Sequence, residues 1–335
     1  MAQPFDARRL VLSGSAIPIV DSFVGQGVPV GPFSLSTTGT LAYRIGGQQT
    51  PQMQFAWFDR QGKPLQSVGT PGEYGQPDLS PDGRFVVFQR GNEPDIWVLD
   101  AQRGGTNRIT SHPDRDTSPV WSPDGKSIAF DSNRNGARNL YSRAFGMVGE
   151  DTVLLKTNAS RNVSDWSRDG KYLAYEGGTD IWAVDLTAAS QSPLQLTQTP
   201  FVETNPRISP DGHWVAFEST ESEGQGGIYV QSFPKPGVRL PVSTHGGVQP
   251  MWSHDGRELY YLAPDFSLMA VSVKSQTDSV ELSAPVVLFK PPLSRNTRRN
   301  YWPARDGRFL FSLPAEEPAL TPIIVMLNWA SAFMQ

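Results

Sequence analysis

Apolar residues along this chain gather in short bursts rather than at helical intervals. Phe85-Val86-Val87-Phe88, Ile128-Ala129-Phe130, Tyr172-Leu173-Ala174-Tyr175, Trp214-Val215-Ala216-Phe217, Leu259-Tyr260-Tyr261 and Phe309-Leu310-Phe311 are such bursts. Their length and their aromatic and β-branched content predict strands covered on both faces. After a polar break a further run follows, as in Asp95-Ile96-Trp97-Val98-Leu99, Asp180-Ile181-Trp182-Ala183-Val184 and Ile228-Tyr229-Val230. These runs predict a third strand, and Leu194-Gln195-Leu196-Thr197 or Val286-Val287-Leu288-Phe289 a fourth. No stretch sustains a helical period, so the expected class is all-β.

The punctuation between bursts repeats. Ser80-Pro81-Asp82-Gly83 recurs at 122–125 and 209–212, with altered copies Ser167-Arg168-Asp169-Gly170, Ser253-His254-Asp255-Gly256 and Ala304-Arg305-Asp306-Gly307, and a degenerate Ser36-Thr37-Thr38-Gly39. The glycines at 39, 83, 125, 170, 212, 256 and 307 are spaced by 44, 42, 45, 42, 44 and 51 residues. Proline pre-sets φ at the second position and glycine accepts φ > 0 at the fourth, which predicts a type I turn closed by a glycine bulge. Asp82, Gly83, Asp124, Gly125, Asp169, Gly170, Asp211, Gly212, Asp255, Gly256, Asp306 and Gly307 are therefore expected to be structural turn residues.

Four antiparallel strands per repeat of this length predict one blade of a β-propeller. We expect a single domain over 1–335 with seven four-stranded blades, although six or eight also fit the spacing. The repeats are placed at about 30–70, 71–112, 113–157, 158–199, 200–245, 246–290 and 300–330. Residues 1–24 read as a closing segment, with a strand near 9–21 completing the C-terminal blade and removing an exposed sheet edge. Residues 323–327 are the expected third strand of that last blade.

Composition narrows the chemistry. The chain has no Cys, which excludes disulfides, thiolate-held metal and a thiol nucleophile. A net charge of −4 offers no broad field for nucleic acid. No apolar run approaches bilayer length, and the start lacks the basic and apolar regions of a secretory signal. His112, His213, His245 and His254 form no zinc-ligand pair, no Gly-x-Ser-x-Gly elbow is present, and the turns lack the extra residue of a sialidase box. No catalytic residue, metal or cofactor is expected.

The Ser-Pro-Asp-Gly turns, the Asp-Ile-Trp strands at 95–97 and 180–182, and the Arg-Ile-Thr and Gln-Leu-Thr strand ends resemble the TolB-like, WD-like β-propeller family over nearly the whole chain. The start Ala2-Gln3-Pro4-Phe5-Asp6, the segment 227–234 and the ending 322–329 look closest to the extracytoplasmic propeller of some bacterial serine/threonine kinases. The resemblance implies a sensor or binding region, periplasmic or extracytoplasmic, within a longer membrane-anchored protein. No kinase motif occurs in the chain itself.

Propellers place functional groups at channel mouths, so the loops that lead into the first strand of each repeat supply the candidates. Tyr74, Gln76, Asp114, Asp116, Asn162, Glu203, Asn205, His245, Gln249 and Arg299 are the expected ligand-binding residues. They form a polar, mixed-charge rim suited to a peptide or protein segment. Arg295, Arg298, Arg299, Arg305 and Arg308 make the last repeat basic, and one sector of the rim could then dock an acidic peptide or anionic polymer. The expected function is a non-enzymatic protein- or peptide-binding propeller of the cell envelope. The alternatives are the accessory or lid of a hydrolase, a glycan-active propeller enzyme, or a structural half of a longer tandem propeller.

Overall fold

The computed structural model describes residues 33–36, 38–44, 52–91, 93–147, 149–189, 192–221, 226–293, 298–315 and 323–328, with residues 3, 5–6, 9, 11–12 and 15 nearer the start. Contacts divide the chain into two compact units, Gln52–Ala315 and Met1–Pro51 with Glu316–Gln335. Every described element is a strand, and among the described residues there is no helix.

Within Gln52–Ala315 the strands form six antiparallel sheets. Sheet 1 runs in the order Tyr301–Pro303, Phe309–Pro314, Met53–Phe58, Pro64–Gly72. Sheets 2 to 5 each take four consecutive strands, starting at Gly75–Leu79, Asp116–Trp121, Asn162–Trp166 and Glu203–Ile208. Sheet 6 starts at Val248–Trp252, and its third strand Leu268–Ser275 pairs with both Val280–Leu282 and Val286–Phe289. The apolar bursts are the second strands: Val86, Val87, Phe88, Leu173, Ala174 and Tyr175 are fully buried. Each hydrophobic core joins two neighbouring sheets. Val87 and Ile96 meet Ile128 and Phe130, Val120 and Ala129 meet Leu173 and Tyr175, and so on to Tyr260 and Leu262, which meet Phe309 and Phe311. Met53, Phe55 and Trp57 then meet Val86 and Phe88, so the cores run from sheet to sheet in a cycle. Burying each such side chain contributes about 1.5–3 kcal/mol, which is why each sheet needs a neighbour on both faces.

Seven blades are expected from the sequence, with six or eight also open, and the described residues of this unit form six sheets. The expected first and last repeats exchange strands. Phe309–Pro314 pairs with Met53–Phe58, not with the expected third strand at 323–327. The reason is burial: Met53, Phe55, Trp57 and Phe58 are all buried, and a strand apolar on both faces belongs inside a sheet. In the other unit, Ile323–Met326 pairs with Leu41–Arg44, which also pairs with Phe33–Leu35, and Val11–Leu12 pairs with Phe5–Asp6. The rest of the 9–21 segment, apart from Arg9 and Ser15, lies outside the described residues.

The turns have the expected geometry. In the first, Gly83 N–H donates to Ser80 O at 2.8 Å with φ 73°, while Asp82 Oδ1 accepts from Ser80 Oγ at 2.6 Å and from Arg84 N–H at 3.0 Å. Gly125 repeats it with φ 69°. A bulge interrupts the first strand of sheets 2 to 6, and Gln76, Ser118, Asn205 and Gln249 take left-handed φ there. The bulge frees a backbone N–H, and the preceding sheet accepts it. Gln89 Oε1 takes Ser118 N–H at 3.1 Å, Asp131 Oδ1 takes Val163 at 3.4 Å, Glu176 Oε1 takes Asn205 at 3.0 Å and Glu218 Oε1 takes Gln249 at 2.7 Å. Sheet 6 has Leu262 at this register, and Gln249 Oε1 accepts Asn300 N–H instead, at 2.7 Å.

Candidate functional site

The first strands have two ends. One end receives the loops that hold the ten expected binding residues, and the other leads into the Ser-Pro-Asp-Gly turns. We call these the loop face and the turn face.

On the loop face most candidates are engaged in holding sheets together. Arg299 is buried and donates to Pro119 O at 2.9 Å, Val163 O at 3.3 Å and Ser164 O at 3.2 Å. It enters beside sheet 1 and reaches sheets 3 and 4. Its neighbour Arg298 pairs with Glu176 of sheet 4. Burial and the nearby Arg207 lower the Arg299 pKa to about 10. Gln249 Nε2 donates to Asn300 Oδ1 at 2.8 Å, and Asn205 donates to Glu218. Asp116 is fully buried against Arg134 at 2.9 Å, and Glu203 accepts from Thr199 Oγ1 at 2.6 Å. Tyr74 is buried, its ring against Phe55 and Phe88 at 4.7 and 4.8 Å and its hydroxyl on Thr70 O. Asn162 accepts from Arg138 at 2.9 Å, and Gln76 is half-buried at its bulge. Among the ten only His245, beside Thr244, is exposed, and Asp114, beside His112 at 3.3 Å, is half-buried.

The turn face is open. A concavity of about 410 Å³ lies there, and all six sheets contribute to its wall. Asp78, Asp165, Arg207, Met251 and Trp302 come from the first strands, and Trp57 and Trp252 add aromatic surface. Asp78 accepts Trp121 N–H at 2.9 Å and Asp165 accepts Ile208 N–H at 2.7 Å, so the same carboxylates that face the concavity also tie one sheet to the next. Burial pushes both carboxyls up, Asp165 to about 6, against the opposing pull of Arg207 and Arg299. Arg207 Nη1 donates to Ser164 O at 2.8 Å. Cation, carboxylate and indole on one concave wall suit a segment of polypeptide, which offers all three complementary surfaces.

Residues 32–177 match the family described as TolB beta propeller domain. Among solved structures, a putative TolB from Agrobacterium tumefaciens is similar with a TM-score of 0.59 at 19% identity, covering 79% of this chain and 99% of that one. The chain carries a TolB-like β-propeller. TolB from Acinetobacter baumannii is similar at a TM-score of 0.51 and 20% identity, over 82% of this chain and 66% of that one. In sequence, the Tol-Pal system protein TolB of Helicobacter pylori is 28% identical over 182 residues, 51% of this chain and 42% of that protein. The uncharacterized peptidase YuxL of Bacillus subtilis is 26% identical over 195 residues, 44% of this chain and 29% of that protein. The chain spans less than half the length of these curated relatives.

Sequence reasoning treated the turns of the TolB-like propeller as structural only, and so missed the turn-face wall. One signal was readable. The second turn position is Pro81, Pro123 and Pro210 in three sheets but Arg168, His254 and Arg305 in the others, and all six residues line the concavity. The basic run of the last repeat is also split between faces: Arg305 and Arg308 line the turn face, Arg298 and Arg299 hold the loop face, and Arg295 lies outside the described residues.

Proposed function

We propose that this protein binds a segment of another protein in the turn-face concavity, that it works in the cell envelope, and that it performs no chemistry of its own. The observation that carries this is the contrast between one mouth crossed by Arg299 and the other left concave with contributions from six sheets. The name of the Helicobacter relative, a Tol-Pal system protein, supports envelope work with protein partners. Among the described residues no cluster of three or more metal-ligating side chains accompanies the concavity.

Ala304→Trp tests the reading, because Ala304 lines the concavity and does not supply the turn glycine. Wild-type protein should capture a partner from envelope extract, and folded Ala304→Trp should not. Equal capture by both, or none by the wild type, contradicts the reading.

A second reading is favoured by the match to YuxL: the propeller as lid or accessory of a hydrolase. Its discriminating result is a gain in peptide hydrolysis when this chain is added to a separate hydrolase domain.

A further inference from the structure

Three of the six turns depart from the repeat at the same position, and all three departures introduce a side chain that is or can become cationic: Arg168, His254 and Arg305. They converge. The Arg168 guanidinium lies against the ring and carbonyl of His254, two sheets away, with Nη2 3.1 Å from Nδ1. Burial lowers the Arg168 pKa and Arg305 lowers it further; burial, Arg168 and Arg305 together lower that of His254. Among the described residues no carboxylate lies within ion-pair distance of Arg168 or Arg305. The acidic groups of the same wall are engaged elsewhere: Asp82 with Ser80, Asp306 with Arg308 at 2.7 Å, Asp78 with Trp121 N–H and Asp165 with Ile208 N–H. Proline at this position would favour the turn by restricting φ. The sequence instead places two guanidinium groups and an imidazole together at the rim of the concavity, Arg168 bonded to His254 and neither arginine facing a carboxylate among the described residues, an arrangement open to an anion.

We propose that Arg168, Arg305 and His254 form an anion clamp at the rim of the turn face, and that its occupant is the carboxylate of an acidic residue in the bound protein segment. This rests on the reading of the turn face as the binding surface. Planar guanidinium groups offer paired N–H donors that match a carboxylate, and the adjacent indoles accept the apolar part of the same segment. Arg305 also lines a smaller cleft with Pro81 and Pro123, so the clamp extends along the rim rather than pointing at one spot.

The test titrates end-blocked hexaglutamate into the full chain at low salt, with end-blocked hexaglutamine and inorganic phosphate as parallel probes. Wild-type protein should bind hexaglutamate and not hexaglutamine. Phosphate should compete no better than its ionic strength dictates, whereas tight, saturable phosphate binding would assign the clamp to phosphate and overturn the carboxylate. The double variant Arg168→Pro, Arg305→Pro restores the turn residue, should fold with undiminished thermal stability, and should bind hexaglutamate about tenfold or more weakly. Lys274→Gln, an exposed cation outside the concavity, should leave binding unchanged. Absence of hexaglutamate binding to wild type, unchanged binding in the double variant, or an equal loss in Lys274→Gln overturns the clamp. If the clamp falls while Ala304→Trp still abolishes partner capture, the binding reading stands without it.

Discussion

The two faces of the propeller are built from the opposite ends of the same strands and have come to different states. At the loop face most of the polar candidates are paired with neighbouring groups, although Asp116 Oδ2 and Glu203 Oε2 are buried without a hydrogen-bond partner. Arg299 joins the carbonyls of Pro119, Val163 and Ser164, Gln249 joins Asn300, and Asp116 joins Arg134. At the turn face the carboxylates Asp78 and Asp165 face a concavity, and the cations Arg168 and Arg305 have no carboxylate within ion-pair distance among the described residues. Polar loops at a channel mouth are therefore an incomplete guide to binding. What separates the two faces here is that one is crossed by buried cross-sheet bonds while the other is an open concave wall whose cations Arg168 and Arg305 have no carboxylate partner among the described residues.

The largest effect should come from breaking the structural face. Arg299→Met removes the buried guanidinium, takes its donors from the carbonyls of Pro119 and Val163 while Ser164 O keeps Arg207, and leaves Asp78 and Asp165 short of a balancing charge. It should cost about 3–5 kcal/mol of stability, read as a fall in the urea midpoint. A cost near zero would mean that the cross-ring bonds carry little.

Next is the pH response, which reports the buried carboxylates. Asp131 and Asp165 each titrate at about 6 in the folded protein, with burial as the main cause. A folded pKa above the unfolded one means that the native state holds the proton more tightly. Stability should therefore fall as pH rises from about 4 to about 6, by up to roughly 3 kcal/mol per group, and level off above. Carboxylates held low, such as Asp124 and Asp255, act in the opposite sense only at pH below about 4. Asp165→Asn keeps an acceptor for Ile208 N–H and should flatten the slope in thermal melts between pH 4 and 7. An unchanged slope would remove Asp165 from the account.

A smaller effect belongs to the turns. Gly125 has φ 69°, and its nearest potential obstacle is Pro81 Cδ at 3.8 Å, so Gly125→Val is strained by its backbone alone. A loss of about 1–2 kcal/mol is expected in a denaturant titration. The smallest effect sharpens the turn face. Arg168→Pro and Arg305→Pro should each raise stability by about 0.4–1 kcal/mol, because the unfolded chain loses freedom and the cations no longer repel. Destabilisation by either would show that the cations serve the fold.

The repeat was legible because each turn needs the same four chemistries in order, and each second strand must be apolar on both faces. The partner of the last repeat was not, because Met53–Phe58 and Ile323–Met326 both read as apolar strands that could follow it. The choice is made by burial against Phe309–Pro314, a contact between distant parts of the chain. The loop-face candidates were legible as polar residues, but their pairing was not. Arg299 reaches residues 135 to 180 positions earlier in the chain, and no local pattern announces that. The turn-face clamp was written in the sequence as three substitutions at one position of the repeat, yet only the structure shows that they meet.

The central claim, that the turn face binds and the loop face does not, is tested most directly by site-specific photo-crosslinking. A photoreactive residue would replace Gln102 on the turn face or half-buried Asp114 on the loop face, and each variant would be irradiated in envelope extract. The account predicts a discrete protein adduct from position 102 and none from position 114. An adduct from position 114 alone would contradict it.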